Sequence, residues 1–151
     1  MLPANYNSNY QIVQNPGYIV ILVEMVHDAR VIPLNGSPHV SQNVRQWLGD
    51  SRGHWEGNTL VVETTNFNDQ TNFRGSSEHL RIIERFTRTD ENTLLYKFTI
   101  DDETTWAKPW SAEIPMNKAK GPLYEYACHE GNYGLAGSLT GARAEEKRKR
   151  N

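Results

Sequence analysis

A single cysteine, Cys128, stands among 151 residues, so no intrachain disulfide can form and a framework of bridges is excluded. No apolar run approaches the ~20 residues that a membrane helix requires, and no membrane partner is expected. Charge of one sign is lacking too. Sixteen Lys and Arg face eighteen Asp and Glu, for a formal net charge of -2, so no basic field exists to hold a phosphate backbone and nucleic acid is not an expected partner. The common catalytic signatures are absent: there is no G-x-S-x-G elbow, H-E-x-x-H, C-x-x-C, G-x-x-x-x-G-K-[ST], or paired H-x-H followed by Glu. That removes the usual hydrolase, zincin and P-loop readings, and no nucleotide cofactor is expected. The polar opening Met1–Asn9 has neither the charged nor the apolar region of a secretory signal, which suits a cytoplasmic protein or one whose signal has been removed.

What is present is the composition of one folded, β-rich domain spanning 1–151, with 37% hydrophobic and 10% aromatic residues, too apolar for a disordered chain. Tyr18–His27 is apolar on both parities, and the Asn15-Pro16-Gly17 turn before it pairs it with Tyr10–Gln14 as a hairpin. Arg30–Leu34 reads as a short strand ended by Asn35-Gly36. Gly57-Asn58 introduces the strand Thr59–Thr65, and Asp90-Glu91-Asn92 separates Ile82–Arg88 from Thr93–Ile100, where Leu94, Tyr96, Phe98 and Ile100 alternate cleanly. Trp106–Met116, interrupted by Pro109, and Leu123–Cys128 complete the set. About eight antiparallel strands with short links predict a meander closing into a lipocalin-like barrel, with a short C-terminal helix and frayed tail over 136–151. The polar stretch Asn66–Ser77 is long for a link and is expected to act as a lid. The expected core is Ile19, Ile21, Leu22, Val62, Ile82, Phe86, Leu94, Phe98 and Trp106, with Cys128 inward.

The run WLGDSRGHWEGNTLVVETTNFND (47–69), continued by Glu84-Arg85-Phe86, Thr99–Asp102, Trp106–Pro109 and Glu125–Cys128, resembles a family of uncharacterised bacterial proteins from soil lineages. The resemblance covers most of the chain. It implies export, hence a periplasmic or extracellular setting, and implies no particular reaction. Gly53-His54-Trp55 at a strand start is also similar to the G-x-W of lipocalin-like barrels.

Polar clusters fall at three strand ends, His27–Arg30, Asp50–Glu56 and His129–Tyr133, and a barrel would gather them at one mouth. His27, His54 and His129 would there be the ligands of a divalent metal, as an alternative to ordinary hydrogen-bonding roles. Arg52, Trp55 and Glu56 would contact a ligand at the same mouth. Glu24 shares parity with Val20 and Leu22, and Glu84 with Ile82 and Phe86, so both carboxylates are expected to point inward. They then form either structural ion pairs, with Arg30, Arg52, Arg85 or Lys108 as partners, or a catalytic acid/base pair in a cavity lined by Tyr96, Trp106, Trp110 and Tyr124. The leading expectation is a binding protein for a small molecule or oligosaccharide, with turnover at the mouth as an extension. The alternatives are a metal-dependent or acid/base enzyme acting on plant-derived carbohydrate or aromatic compounds, and a structural protein. An imperfect barrel edge would be covered in a homodimer.

Overall fold

The computed structural model describes residues 7–71, 73–131 and 133–149. The first six residues of the polar opening, Asn132 of the third polar cluster and the last two residues of the tail lie outside them. The strands are β1 (Tyr10–Gln14), β2 (Tyr18–Val23), β3 (Ala29–Pro33), β4 (Asp50–Glu56), β5 (Thr59–Thr65), β6 (Arg81–Arg88), β7 (Thr93–Asp101) and β8 (Trp110–Asn117), followed by helix α1 (Gly134–Lys149). All pair antiparallel with their sequence neighbours, but in two sheets, β1-β2-β3 and β4-β5-β6-β7-β8. The expected meander is therefore present, and among the described residues no closed ring of strands is detected. Among the described residues no ladder joins β3 to β4, because residues 34–49 between them are too long and irregular to act as a hairpin turn.

The two sheets instead meet face to face. Ile19, Ile21 and Ile32 of the smaller sheet join Leu60, Val62, Phe86, Tyr96, Phe98 and Ile100 of the larger in one buried cluster. Gly53 allows the close approach at one corner, since a Cβ there would stand 2.8 Å from Ile32 and 2.9 Å from Leu34. Of the expected core, Ile19, Ile21, Val62, Phe86 and Phe98 are buried, while Leu22, Ile82, Leu94 and Trp106 are half-buried. Period-two alternation on β7 holds as read, with Phe86 opposite Tyr96 and Glu84 opposite Phe98 in the β6–β7 register.

Three local expectations change. Leu123–Cys128 forms no strand and Cys128 is exposed; a short apolar run with no neighbouring edge to pair with has no reason to extend into a ladder or to point a thiol inward. The strand assigned to Trp106–Met116 begins only at Trp110, after Pro109, which lacks the N–H a ladder needs. Helix α1 begins two residues earlier than expected, and none of its residues is buried.

Of the segment 66–77, in which Asn72 lies outside the described residues, both ends are fastened to their surroundings. Asn66, buried and at a φ of 57°, donates its amide to the carbonyls of Val40, Ser41 and Val44. Thr71 donates to the Trp47 carbonyl at 2.8 Å, and Phe73 stacks on Trp110 with ring centroids 6.3 Å apart. At the far end, Asp102 accepts from the Ser77 backbone at 2.6 Å and from the Ser77, Thr104 and Thr105 hydroxyls. Burial raises its pKa, but these donors outweigh burial and bring it down to about 2.

Candidate functional site: a cavity between the sheets

Because the sheets approach without closing, the core between them is not completely filled. A cavity of about 360 Å³ remains, walled by β2 and β3 on one side, β6 and β7 on the other, and by 66–77 at the end. Its lining is mostly aliphatic and aromatic: Ile21, Val23, Phe67, Phe73, Leu80, Ile82, Phe98 and Ile100. The polar side chains among its lining include Tyr10, Asp28, Arg30, Thr71 and Tyr96. Val26, Trp47 and Leu48 line it and are also solvent-exposed, so the cavity opens to solvent between the β2–β3 turn and the residues leading into β4.

Behind this wall lies a buried charge pair. Arg30 on β3 reaches across the core so that its Nη2 stands 2.7 Å from Oε2 of Glu84 on β6, a carboxylate with no solvent exposure. Tyr96, diagonally placed on β7, donates its hydroxyl to Glu84 Oε1 at 2.9 Å. Burial pushes the Glu84 pKa up, and the charge and hydrogen bonds of its partners, Arg30 foremost, more than reverse this, leaving it below the usual carboxylate range. The Tyr96 phenol is pushed well up, by burial first and then by the neighbouring Glu84 charge. An acid/base couple near neutrality needs one carboxyl held protonated, and Glu84 is held ionised.

Glu24 is also buried, but in a different setting. The chain turns away from β2 after Val23, so strand parity does not carry through: Ile19 and Ile21 face the core, while Glu24 meets the amides of Asn9 (2.7 Å) and Asn7 (2.6 Å). Those amides hold its carboxyl low, Asn9 most. Neither Glu24 nor Glu84 lines the cavity, so the two carboxylates are not brought together as a reacting pair.

The three histidines are not gathered either. Among the described residues no group of three or more His, Cys, Asp or Glu is placed to hold a metal ion. His27, on the β2–β3 turn, accepts the Tyr126 backbone N–H at its Nε2 (3.0 Å). His54 lies on β4 with Nε2 3.2 Å from Glu56, and His129 is exposed in the stretch before α1. Of the three, His54 belongs to a strand of the larger sheet, while His27 and His129 lie outside the strands. The expected ligand contacts disperse as well. Arg52 is spent on Asp50 (2.6 Å) and the Pro38 carbonyl (3.0 Å), and Glu56 pairs with Arg85. Trp55 and Tyr124 are exposed, and Trp106 packs edge-to-face on Trp110, which packs likewise on Phe98. Tyr96 is the one expected contact residue that lines the cavity.

No protein-family model, no curated protein and no solved structure matches the chain. What the site can do therefore rests on its own geometry.

One residue at the opening was not signalled by the sequence. Val26 has φ 64° and ψ 4°, and His27 follows at φ 58°. A β-branched residue in the left-handed region is strained by about 1–2 kcal/mol, and such strain concentrates around functional openings. Val26→Gly is expected to raise stability by about 0.5–1 kcal/mol, the relief of strain less the extra chain entropy of glycine. Urea unfolding monitored by circular dichroism checks this; a loss of stability would mean that the exposed Val26 side chain is itself held by packing at the rim.

Proposed function

We propose that the protein binds a small, largely apolar organic molecule in the cavity between its sheets. The observation that carries this reading is an apolar space of about 360 Å³ inside the core, open to solvent at one side and lined at one place by Arg30, whose partner Glu84 lies outside the lining. Sites for small ligands have this character: a concave, mainly hydrophobic enclosure with few polar groups, beginning near ~300 Å³. An oligosaccharide fits it poorly, since each sugar hydroxyl brought into an aliphatic wall would lose its water partners without replacement. Turnover is not required by any group lining the wall, so binding is the simpler function.

Titration with naphthalene, followed through protein chemical shifts, tests the reading. Naphthalene should bind with a dissociation constant below about 1 mM, with shifts confined to cavity residues such as Ile21, Phe98 and Ile100. Val23→Phe, which places a ring into the cavity from its half-buried wall, should weaken that binding about tenfold or more. No saturable shift in the wild-type protein would sink the proposal.

A further inference from the structure

We propose that a second site, an open depression at a corner where the two sheets meet, binds a neutral pyranose sugar, with the sugar ring stacked on Trp55 and its hydroxyls bonded to the side-chain amides of Gln14 and Asn15. The proposal goes beyond the cavity and does not depend on it.

The depression follows from a local feature of β4. Gly53 has no side chain, so Ile32 and Leu34 pack closely against the strand there, and a Cβ would stand 2.8 Å from the first and 2.9 Å from the second. Trp55, two residues on, falls on the same face of β4, because the β4–β5 register runs unbroken from Asp50 to Glu56. The smaller sheet meets it there with Leu34, just past β3, and with the β1–β2 turn, and the indole stays 45% exposed. Gln14, Asn15, Pro16, Leu34 and Trp55 together line the depression.

A lone exposed aromatic needs no explanation. What sets Trp55 apart is its surroundings: Leu34 and Pro16 extend its apolar surface, and two amides stand beside it. The Asn15 backbone N–H donates to the Tyr18 carbonyl at 3.0 Å, which fixes the turn that carries its side chain. Among the described residues neither side-chain amide is engaged by another group of the protein, and each offers an acceptor oxygen and two N–H donors.

Charge and openness name the ligand. None of the lining side chains is charged. The charged groups nearest along β4 lie on its opposite face, where Glu56 pairs with Arg85 and stands 3.2 Å from His54, so an ionic ligand finds no counter-charge in the depression. A wholly apolar molecule would cover the indole and leave the amides beside it without partners. A pyranose supplies both halves of the match, a C–H face for the aromatic ring and a rim of hydroxyls that donate and accept. Because the depression is open, hydroxyls that meet no amide keep their water, which the closed cavity does not allow.

Cellobiose, a neutral disaccharide of β-linked pyranoses, tests the site when titrated against isotopically labelled protein, with sorbitol, an acyclic polyol without a ring face, as the control. Cellobiose is expected to bind with a dissociation constant on the order of millimolar, as a shallow contact through one ring implies. It should shift the Trp55 indole N–H and the Gln14 and Asn15 side-chain amides and leave Phe98 and Ile100 unmoved, and sorbitol should move none of them. Trp55→Ala should weaken binding about tenfold or more. Gln14→Ala, at the exposed end of β1, should weaken it about threefold; unchanged Phe98 and Ile100 shifts show that each variant is folded. The proposal is overturned if cellobiose gives no saturable shift at Trp55 up to about 50 mM, if sorbitol gives the same shifts, or if Trp55→Ala binds cellobiose as well as the wild-type protein does. Shifts at Phe98 and Ile100 in place of Trp55 would put the sugar in the cavity and overturn it too. Failure of cellobiose at Trp55 leaves naphthalene binding in the cavity untouched, so the two readings fail separately.

Discussion

Arg30→Met is expected to lower the unfolding free energy by about 3–5 kcal/mol, and Arg30→Met/Glu84→Gln to recover more than half of that loss. The single change removes the guanidinium 2.7 Å from a carboxylate with no solvent exposure, and a buried charge that loses its foremost counter-charge costs several kcal/mol. The double change removes both charges, so the interior keeps Tyr96 beside a neutral amide. The asymmetry matters more than the absolute values, because it distinguishes a pair that is mutually required from an arginine that merely packs. Urea unfolding of the three proteins by circular dichroism reads it. Equal stability of the single and double variants would show that Glu84 does not depend on Arg30.

Gly49→Ala should cost about 3 kcal/mol or more, the other large loss expected of a single substitution. Gly49 has φ 67°, and a Cβ there would stand 2.6 Å from the Thr65 carbonyl oxygen, 2.7 Å from Thr64 Cγ2 and 3.0 Å from the Phe67 ring. Backbone and ring cannot swing aside as the end of a flexible side chain can. Gly36 provides the control: at φ 71° it has nothing within 4 Å of a built Cβ, so Gly36→Ala should cost only the left-handed penalty of about 1–2 kcal/mol. Thermal unfolding of the two variants side by side separates crowding from backbone strain. A Gly49→Ala loss no greater than that of Gly36→Ala would show that the crowding relaxes away. Because Gly49 follows Trp47 and Leu48 at the cavity opening, its substitution should also disturb the shifts of those two residues.

The strands were legible wherever alternation and turn chemistry acted within one hairpin. Leu94, Tyr96, Phe98 and Ile100 announce β7, and the parity of Glu84 with Ile82 and Phe86 places it inward correctly, with Arg30 among the partners foreseen. The arrangement of strands was not legible, because period-two patterning says which face of a strand is buried and nothing about which edges meet. A ring and a pair of facing sheets bury the same residues. The convergence of His27, His54 and His129 presumed one ring, and among the described residues no group of three or more His, Cys, Asp or Glu is placed to hold a metal ion. Glu24 is buried as expected, but not through its parity with Val20 and Leu22, since the fully buried positions of β2 are Ile19 and Ile21 and Glu24 lies just past the strand's end at Val23. Arg30 was visible only as a partner for a carboxylate; that it also borders the cavity depends on β3 facing β6, which no local pattern encodes.

Each sheet is drawn from an unbroken stretch of chain, β1 to β3 and then β4 to β8, so every ladder forms between sequence neighbours and closes only a short loop. The cavity has no such local origin. It exists only while the sheets are docked, and its walls belong to both of them. A molecule bound against Ile21 and Phe98 at once, as proposed, would have no binding surface on the separated sheets, so by mass action its concentration would set how firmly the two halves of the protein are held together.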